Sequence, residues 1–142
     1  MGTEAVLDPR PGGLYRVNVT GHERVRGEVT QIVPERSLVF TWGWEDGTLP
    51  VPPGASTVEI SLEPHGDGTV VRLVHRGLPE QMHAFHRLGW DYALGRLAAV
   101  AAGRDPGPDP LRSTVRGTQM IARSLPARYL YRFARRRMGR LG

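Results

Sequence analysis

The sequence predicts an α+β fold, in which a meander of antiparallel strands is followed by one long helix. Short stretches that alternate apolar and polar residues follow one another, separated by turn residues, as is typical of strands with one buried face. The period then becomes helical from Pro79 to Ala102. A single amphipathic helix after six strands has one suitable partner, so we expect it to cross the inner, apolar face of the sheet.

The six predicted strands come in an unbroken order. Gly27 lies within the third, where a large side chain would intrude or the strand bends. The turn PHGDG at 64–68 supplies the glycines that a tight connection between the last two strands needs. In order, the predicted strands are Glu4 to Asp8, LYRVNVT, RVRGEVTQIV, SLVFTWGW, and the two runs that flank PHGDG.

Two further segments complete the body of the chain. Residues 45–55, EDGTLPVPPGA, predict a stiff, exposed, proline-rich loop. The helix ends at Gly103, which is followed by Pro106. Its apolar residues recur at helical spacing and predict one buried face, formed by Trp90, Ala93, Leu94, Leu97 and Ala101.

Composition excludes several kinds of chemistry. The chain has 142 residues and no cysteine, so disulfides and thiolate metal sites are excluded. All 19 basic residues are arginine, which excludes a Schiff-base lysine and a phosphate-loop lysine. No apolar run has membrane-spanning length and no signal-peptide pattern begins the chain, so we expect a soluble, cytoplasmic protein.

The net charge of +5 is unevenly distributed along the chain. Residues 106–142 contain nine arginines and one aspartate, whereas residues 1–105 contain ten arginines and thirteen acidic residues. An interaction with an anionic partner is therefore expected of the C-terminal tail alone.

Several short motifs, taken in order, resemble those of the START-like superfamily, also called SRPBCC. They run from about Glu4 to Ala102, and they are most similar to the domain found in the activator of heat-shock-protein-90 ATPase and its bacterial relatives. The motifs are DPRPGGLY at 8–15, RGEV at 26–29, LVFTW at 38–42, STVEI at 56–60, GDGT at 66–69, HRGLP at 75–79, and His86 with Gly89-Trp90.

The resemblance implies a helix-grip fold, in which a curved antiparallel sheet wraps around a long C-terminal helix. In the superfamily the space between them is commonly a cavity for lipids, polyketides or other apolar molecules. The family usually begins with a further strand and two short helices. We expect this sequence to lack them, either because the true start lies upstream or because the protein is truncated.

Four residues are the candidate ligand contacts: Tyr15, Trp42, His75 and Trp90. The aromatic rings suit a flat or apolar ligand, and each carries a polar group that needs a partner. His75 shares a face with Leu73, so its imidazole could orient a ligand or simply satisfy the backbone. His83 and His86 have metal-ligand spacing on the helix, but no second ligand cluster exists, so neither a metal nor a cofactor is expected.

The basic tail is predicted to be a helix from Pro126, with apolar residues along one broad side. Docking on the protein body and contact with an anionic membrane surface are both consistent with it, and nucleic acid is the least favoured partner. The arginines that would form its basic surface are Arg128, Arg132, Arg135, Arg136, Arg137 and Arg140.

These observations predict a START-like domain at 1–103, a linker at 104–110 and a basic helical tail at 111–142. The leading function is a non-enzymatic binding module for a small apolar or amphipathic ligand, held between sheet and helix. A cyclase- or hydrolase-like enzyme that uses the same pocket is one alternative. A co-chaperone-like domain with a protein partner is another, and a homodimer stays open.

Overall fold

The computed structural model describes residues 5–109, together with Ser124 and Pro126. These residues belong to two compact units, and the boundary between the units lies between Leu78 and Pro79. Since the first unit is a β-sheet and the second begins with helix, the predicted α+β class is confirmed.

The first unit is a six-stranded antiparallel sheet in which the strands lie side by side in chain order. The strand order β1-β2-β3-β4-β5-β6 is the predicted meander, and each strand pairs with the next one along the chain. The strands are β1 (Ala5–Leu7), β2 (Leu14–Asn18), β3 (Arg24–Val33), β4 (Ser37–Trp42), β5 (Ser56–His65) and β6 (Gly68–Arg76).

The register gives the sheet two chemically different faces. Val58 of β5 lies opposite Phe40 on one side and His75 on the other, so these three residues share a face. We call it the apolar face; Val25, Val29, Phe40 and Val58 are its most deeply buried members. The opposite, polar face carries the alternate residues, among them Arg16, Arg26, Glu59 and Arg72.

Strand β3 changes partner near its middle. Its first half pairs with β2 and its second half with β4, and the register shifts between Val29 and Gln31. A Cβ atom at Gly27 would lie 1.7 Å from the carbonyl oxygen of Thr41. Only a residue without a side chain allows this approach, so the expectation that Gly27 admits a close approach is confirmed.

The proline-rich loop is not exposed as predicted. Leu49 and Val51 are 3% and 0% exposed, and Thr48 is also buried. The amide of Trp44 donates to the carbonyl oxygen of Val51 at 2.7 Å, which closes the loop on itself. The exposed part is confined to Gly47 and the stretch 52–55. The prediction was wrong because two apolar side chains among the prolines are enough to fold the loop into the core.

The second unit begins with a 3₁₀ turn, Glu80–Met82, and continues as helix α1 (His83–Ala101). The predicted stop is confirmed, because Gly103 adopts a φ of 70° and donates to the carbonyl oxygen of Val100. Arg104 donates to the carbonyl oxygen of Ala99 in the same cap, and the pair of bonds is a Schellman motif.

The predicted buried stripe of α1 is wrong in part. Ala93 and Ala101 are exposed, and half of the Leu97 surface is accessible. Trp90 and Leu94 are half-buried. Helical spacing alone therefore overestimated how wide an apolar face this helix buries. Its expected position across the sheet stays a prediction.

The segment after α1 is tied to the helix. The guanidinium of Arg96 donates to the carbonyl oxygens of Pro106 and Pro108, at 3.2 and 3.3 Å. The same guanidinium lies 5.9 Å from the ring centre of Tyr92. The division into a domain, a linker and a tail stays a prediction.

Candidate functional site

Three of the four predicted ligand contacts come together on the apolar face. Tyr15 of β2 lies 6.0 Å, ring centre to ring centre, from Trp42 of β4. Trp42 in turn lies 5.6 Å from the imidazole of His75 on β6, in an edge-on arrangement. The alternation of each strand placed these side chains on one face, and the chain order of the strands made them a row.

Two aromatic residues extend this row. Phe40 stacks on Tyr15 with ring centres 4.2 Å apart, and Trp44 meets Trp42 edge-on at 6.0 Å. We call Tyr15, Phe40, Trp42, Trp44 and His75 the aromatic row. Phe40, Trp42 and Trp44 are buried, whereas Tyr15 and His75 are half-buried. The row therefore has a buried aromatic centre and two polar groups nearer the surface, the hydroxyl of Tyr15 and the imidazole of His75.

Sequence reasoning missed the residue that orients His75. The hydroxyl of Ser56 donates to the carbonyl oxygen of Trp42 at 3.0 Å, and lies 2.9 Å from Nε2 of His75. A serine hydroxyl has one hydrogen, so it must accept from the imidazole. The imidazole of His75 therefore carries a proton on Nε2. The register between β4 and β5 sets Trp42 opposite Ser56 and so identifies this partner. The alternation pattern of the sequence does not supply that register.

The Tyr15 hydroxyl is the second polar group of the row. Burial raises the pKa of Tyr15 above its ordinary value of 10.0, so this group stays protonated at neutral pH. Within residues 5–109 no protein group hydrogen-bonds it. A half-buried phenol with no hydrogen-bond partner among the described residues can donate one hydrogen bond to a ligand.

Around the aromatic row the apolar face is only partly covered. Its aliphatic members beside β4, β5 and β6 are half-buried: Leu38, Ile60, Leu62, Val71 and Leu73. Together with Tyr15 and His75 they lie on one face of the sheet. Such a surface suits contact with apolar groups better than with charged ones.

The fourth predicted contact, Trp90, lies on α1 in the second unit and stays a prediction. His86 of the same helix is buried, and its Nδ1 donates to the carbonyl oxygen of Met82 at 2.9 Å. Burial lowers the pKa of His86 to about 4. In the described part of the chain no three histidine, aspartate or glutamate side chains cluster as a metal site would require.

The predicted basic surface of the tail lies outside the described residues. Within residues 5–109, Ser124 and Pro126, neither helical segment combines the length and the hydropathy that a membrane crossing requires.

The consecutive antiparallel strands, the aromatic apolar face and the long helix that follows define a protein of the START-like class. Within that class, the chain belongs to the Activator of Hsp90 ATPase homolog 1-like protein family, whose model matches residues 1–102. The resemblance stated from the sequence motifs is thereby confirmed.

Solved structures of similar proteins agree with this assignment. CalU16 from Micromonospora echinospora is 30% identical with a TM-score of 0.57, over 84% of this chain and 68% of that one. The AHSA1 protein from Silicibacter pomeroyi is 36% identical with a TM-score of 0.53, over 66% of each chain. A protein of the dynemicin biosynthetic locus, DynU16, is 25% identical with a TM-score of 0.56, over 68% of this chain and 35% of that one. A comparison with curated proteins gives no match.

Proposed function

We propose that this protein is a binding module for a small apolar or amphipathic molecule, which it contacts with the apolar face of its sheet. The observation that carries the proposal is the aromatic row with its half-buried aliphatic border, described above. Because the row ends in a phenol and an imidazole, the preferred ligand has an apolar body with one or two hydrogen-bonding groups.

The roles of the polar groups follow from their geometry. The hydroxyl of Tyr15 donates to a carbonyl or hydroxyl oxygen of the ligand. His75 is held by Ser56 through Nε2, so its ring is fixed in direction before a ligand arrives. Trp42, which contacts both residues, packs between them. A site that is organised in advance loses little conformational entropy on binding.

The family supports a ligand-binding role without naming the ligand. DynU16 is a protein of a biosynthetic locus, which favours a small organic molecule over a macromolecule as the ligand.

An enzymatic role would require a reactive group, and the strongest candidate is the contact between Ser56 and His75. Ser56 is only 3% exposed, and its hydrogen is used by the carbonyl oxygen of Trp42. The imidazole donates to this hydroxyl rather than accepting from it, which is the reverse of what activation of a serine nucleophile needs. The pair therefore favours orientation of His75 over catalysis.

The proposal is tested with Nile red, a neutral apolar dye whose fluorescence rises in apolar surroundings. We expect saturable binding to the wild-type protein, and at least tenfold weaker binding by Leu73→Glu, because a carboxylate then lies in the apolar face. The matched control is Val74→Glu, the next residue of β6, which lies on the polar face and is also half-buried. Equal binding by both variants, each with a cooperative unfolding transition, would refute the proposal.

Native mass spectrometry of gently purified protein then identifies the ligand. With that ligand, Tyr15→Phe should lower the affinity about tenfold, since one hydrogen bond is removed and the shape is kept. Binding of Nile red, which needs no donor from the protein, should change little in the same variant.

A further inference from the structure

Strand β6 forms one edge of the six-stranded sheet, and β5 is its one strand partner among the described residues. It is nine residues long, whereas β1, the strand at the other edge, has three. Five of the nine residues of β6 are exposed, so solvent reaches the strand along much of its length. An edge strand presents a row of backbone N–H and C=O groups on its outer side, with which a further strand can pair. The outer edge of β6 is therefore a candidate surface for strand pairing.

The two strands at this edge carry opposite charges on the polar face. Strand β5 contributes Glu59 and Glu63, and all the charged side chains of this pair of strands on that face are exposed. Strand β6 contributes Arg72 and Arg76. Arg72 approaches Glu63 to 3.8 Å with both side chains more than half exposed, so water screens most of their attraction. Neither Glu59 nor Arg76 forms an ion pair within residues 5–109.

Valines alternate with the arginines along β6. Val70 lies directly opposite Glu63, and Val74 lies directly opposite Glu59. Val70 is 40% exposed and Val74 is half-buried. On the polar face, a strand added outside β6 therefore lies next to a row of alternating arginine and valine, and the acidic row of β5 is one strand further in.

We propose that the outer edge of β6 pairs antiparallel with β6 of a second copy of this chain, about a twofold axis at Leu73. Side chains of paired residues lie on the same face of a sheet, so such an axis passes through a residue rather than between two residues. An axis at Arg72 places this arginine opposite the partner's Arg72, and an axis at Val74 places it opposite the partner's Arg76. Like charges directly opposite each other destabilise a pair of strands, which disfavours both of these positions.

An axis at Leu73 instead brings opposite charges together. Arg72 then lies opposite the partner's Val74, and the partner's Glu59 is the next side chain in the same row. These two charged residues are two strands apart, about 10 Å between backbones, a distance that the extended side chains of arginine and glutamate span. The charge pattern of the polar face is therefore complementary to itself in this register.

A second contact of the same kind forms at the end of the strand. Arg76 lies opposite the partner's Val70, and the partner's Glu63 is the next side chain in that row. By symmetry each contact occurs twice, so the register supplies four ion pairs between the copies. An axis at Val71 would supply two, because Arg76 then lies beyond the end of the partner's strand. On the apolar face, Leu73 lies beside the partner's Leu73.

The test is sedimentation equilibrium of the full chain over a range of concentrations, at about 0.15 M ionic strength. We expect a monomer–dimer equilibrium with a dissociation constant of about 1–100 µM, because one pair of strands is a small interface. Added sodium chloride should weaken the dimer, since exposed ion pairs are screened. Arg72→Glu and Glu59→Arg should each weaken it about tenfold or more, because each places like charges across one valine of the partner.

Mixing these two variants separates charge pairing across the interface from a change within either chain. In a mixed dimer each substituted side chain meets one of opposite charge. An equimolar mixture of Arg72→Glu and Glu59→Arg should therefore associate about as strongly as the wild type. Native mass spectrometry, with one variant labelled with ¹⁵N, shows whether the restored dimer contains one copy of each.

The matched controls are Arg26→Glu and Glu28→Arg on β3. They reverse exposed charges on the same face of the sheet, away from the β6 edge. Neither control should change the dissociation constant by more than about twofold, because charges separated by more than a Debye length are largely screened. Mixing the two controls should have no effect either.

A single introduced cysteine locates the axis, since the chain has no cysteine of its own. Leu73→Cys should form a disulfide between copies under mild oxidation, because residues opposite each other at the axis have Cα atoms about 5 Å apart. Val71→Cys should not, because the two copies of this position are offset by four residues, about 13 Å along the strands. Both positions are half-buried on the apolar face, so their burial is matched.

Dimerisation that is weakened in both single variants, restored by mixing and kept in both controls supports the pairing. A wild-type chain that is monomeric at about 300 µM overturns it, which is the result expected if another segment of the chain occupies the β6 edge. Equal weakening in Arg72→Glu and Arg26→Glu, no recovery on mixing, or cross-linking through Val71→Cys rather than Leu73→Cys also overturns it. Nile red binding by Arg72→Glu should match the wild type, because Arg72 lies on the polar face, so this proposal and the proposed binding function fail separately.

Discussion

The imidazole of His75 and the hydroxyl of Ser56 lie 2.9 Å apart, and the direction of their hydrogen bond is set by a third group. The Ser56 hydroxyl gives its hydrogen to the carbonyl oxygen of Trp42 at 3.0 Å. Two consecutive hydrogen bonds, from His75 Nε2 to Ser56 Oγ and from Ser56 Oγ to the carbonyl oxygen of Trp42, thus join β6, β5 and β4. One small side chain both fixes the tautomer of His75 and satisfies a backbone acceptor at the end of β4.

Replacing Ser56 with alanine should therefore destabilise the protein by about 1–3 kcal/mol, because two partners in a buried site lose a hydrogen bond. It should also release the tautomer of His75, visible as a change in the ¹⁵N shifts of the imidazole. Ser61→Ala is the matched control, since Ser61 lies on the polar face of the same strand. Unchanged ¹⁵N shifts in Ser56→Ala would contradict the hydrogen-bond chain.

The close approach of β4 to Gly27 leads to a prediction about the stability of the sheet. Alanine at this position puts a Cβ atom 1.7 Å from the carbonyl oxygen of Thr41, a backbone atom that cannot rotate away. We expect Gly27→Ala to cost about 3 kcal/mol or more, since β3 and β4 have to separate locally. Urea denaturation followed by circular dichroism measures the loss.

The control for this change is Gly95→Ala in helix α1, where a Cβ atom would meet nothing within 4 Å. There the substitution should stabilise the protein by about 0.5–1 kcal/mol, because alanine loses less backbone entropy than glycine in a helix. If both variants shift stability in the same direction, the crowding at Gly27 is not the cause.

Much of the sheet was predictable because alternation has a direct physical meaning. The pattern in RVRGEVTQIV gave the bounds of β3, and Val25 and Val29 are fully buried as an inner face requires. The same reasoning placed Tyr15, Trp42 and His75 on one face. It could not supply Ser56 as a partner of His75, because the register between strands depends on turns and bulges rather than on alternation.

The two errors have a common origin. Leu49 and Val51 lie in a loop without periodic apolar spacing, so the sequence pattern did not indicate that they are buried. Leu97 and Ala93 recur at the helical spacing of a buried face, yet both are exposed. Periodicity indicates which residues share one face of a helix or strand. How much of that face is buried depends on the segments that pack against it.

The ion pair between Glu45 and Arg16 predicts a pH dependence of stability. The hydrogen bonds from Arg16 lower the pKa of Glu45 below its ordinary value of 4.5, and the charges of Arg26 and Arg24 act in the same direction. A carboxyl whose pKa is lower in the folded protein contributes stability above the unfolded pKa. That contribution is lost as the pH falls through the folded pKa.

Glu45→Gln should therefore be less stable than the wild type at about pH 7, and the difference should shrink toward about pH 3. Urea denaturation at both pH values measures it. Glu63→Gln is a suitable control, because the nearest approach of Glu63 to Arg72 is 3.8 Å and both side chains are exposed. A difference that does not change with pH would mean that the charge of Glu45 contributes nothing.

His86 predicts a second pH dependence, in a different range. Burial lowers the pKa of His86 from 6.5 to about 4, so the folded protein prefers the neutral imidazole, which donates from Nδ1 to the carbonyl oxygen of Met82. Above about pH 6.5 both states are neutral and the stability is complete. Between about 6.5 and 4 the unfolded chain binds the extra proton, so stability falls as the pH falls, by up to about 3 kcal/mol.

His86→Gln should flatten the stability profile in this range, because glutamine can donate to the same carbonyl oxygen and does not titrate. The matched control is His83→Gln, one turn earlier on the same helix, where the side chain is exposed. Unfolding measured at closely spaced pH values should show the slope for the wild type and for His83→Gln, and little slope for His86→Gln. Glu45→Gln should keep most of the His86 slope, because the contribution of Glu45 is lost mainly below its ordinary pKa of 4.5, whereas that of His86 is lost between about pH 6.5 and 4.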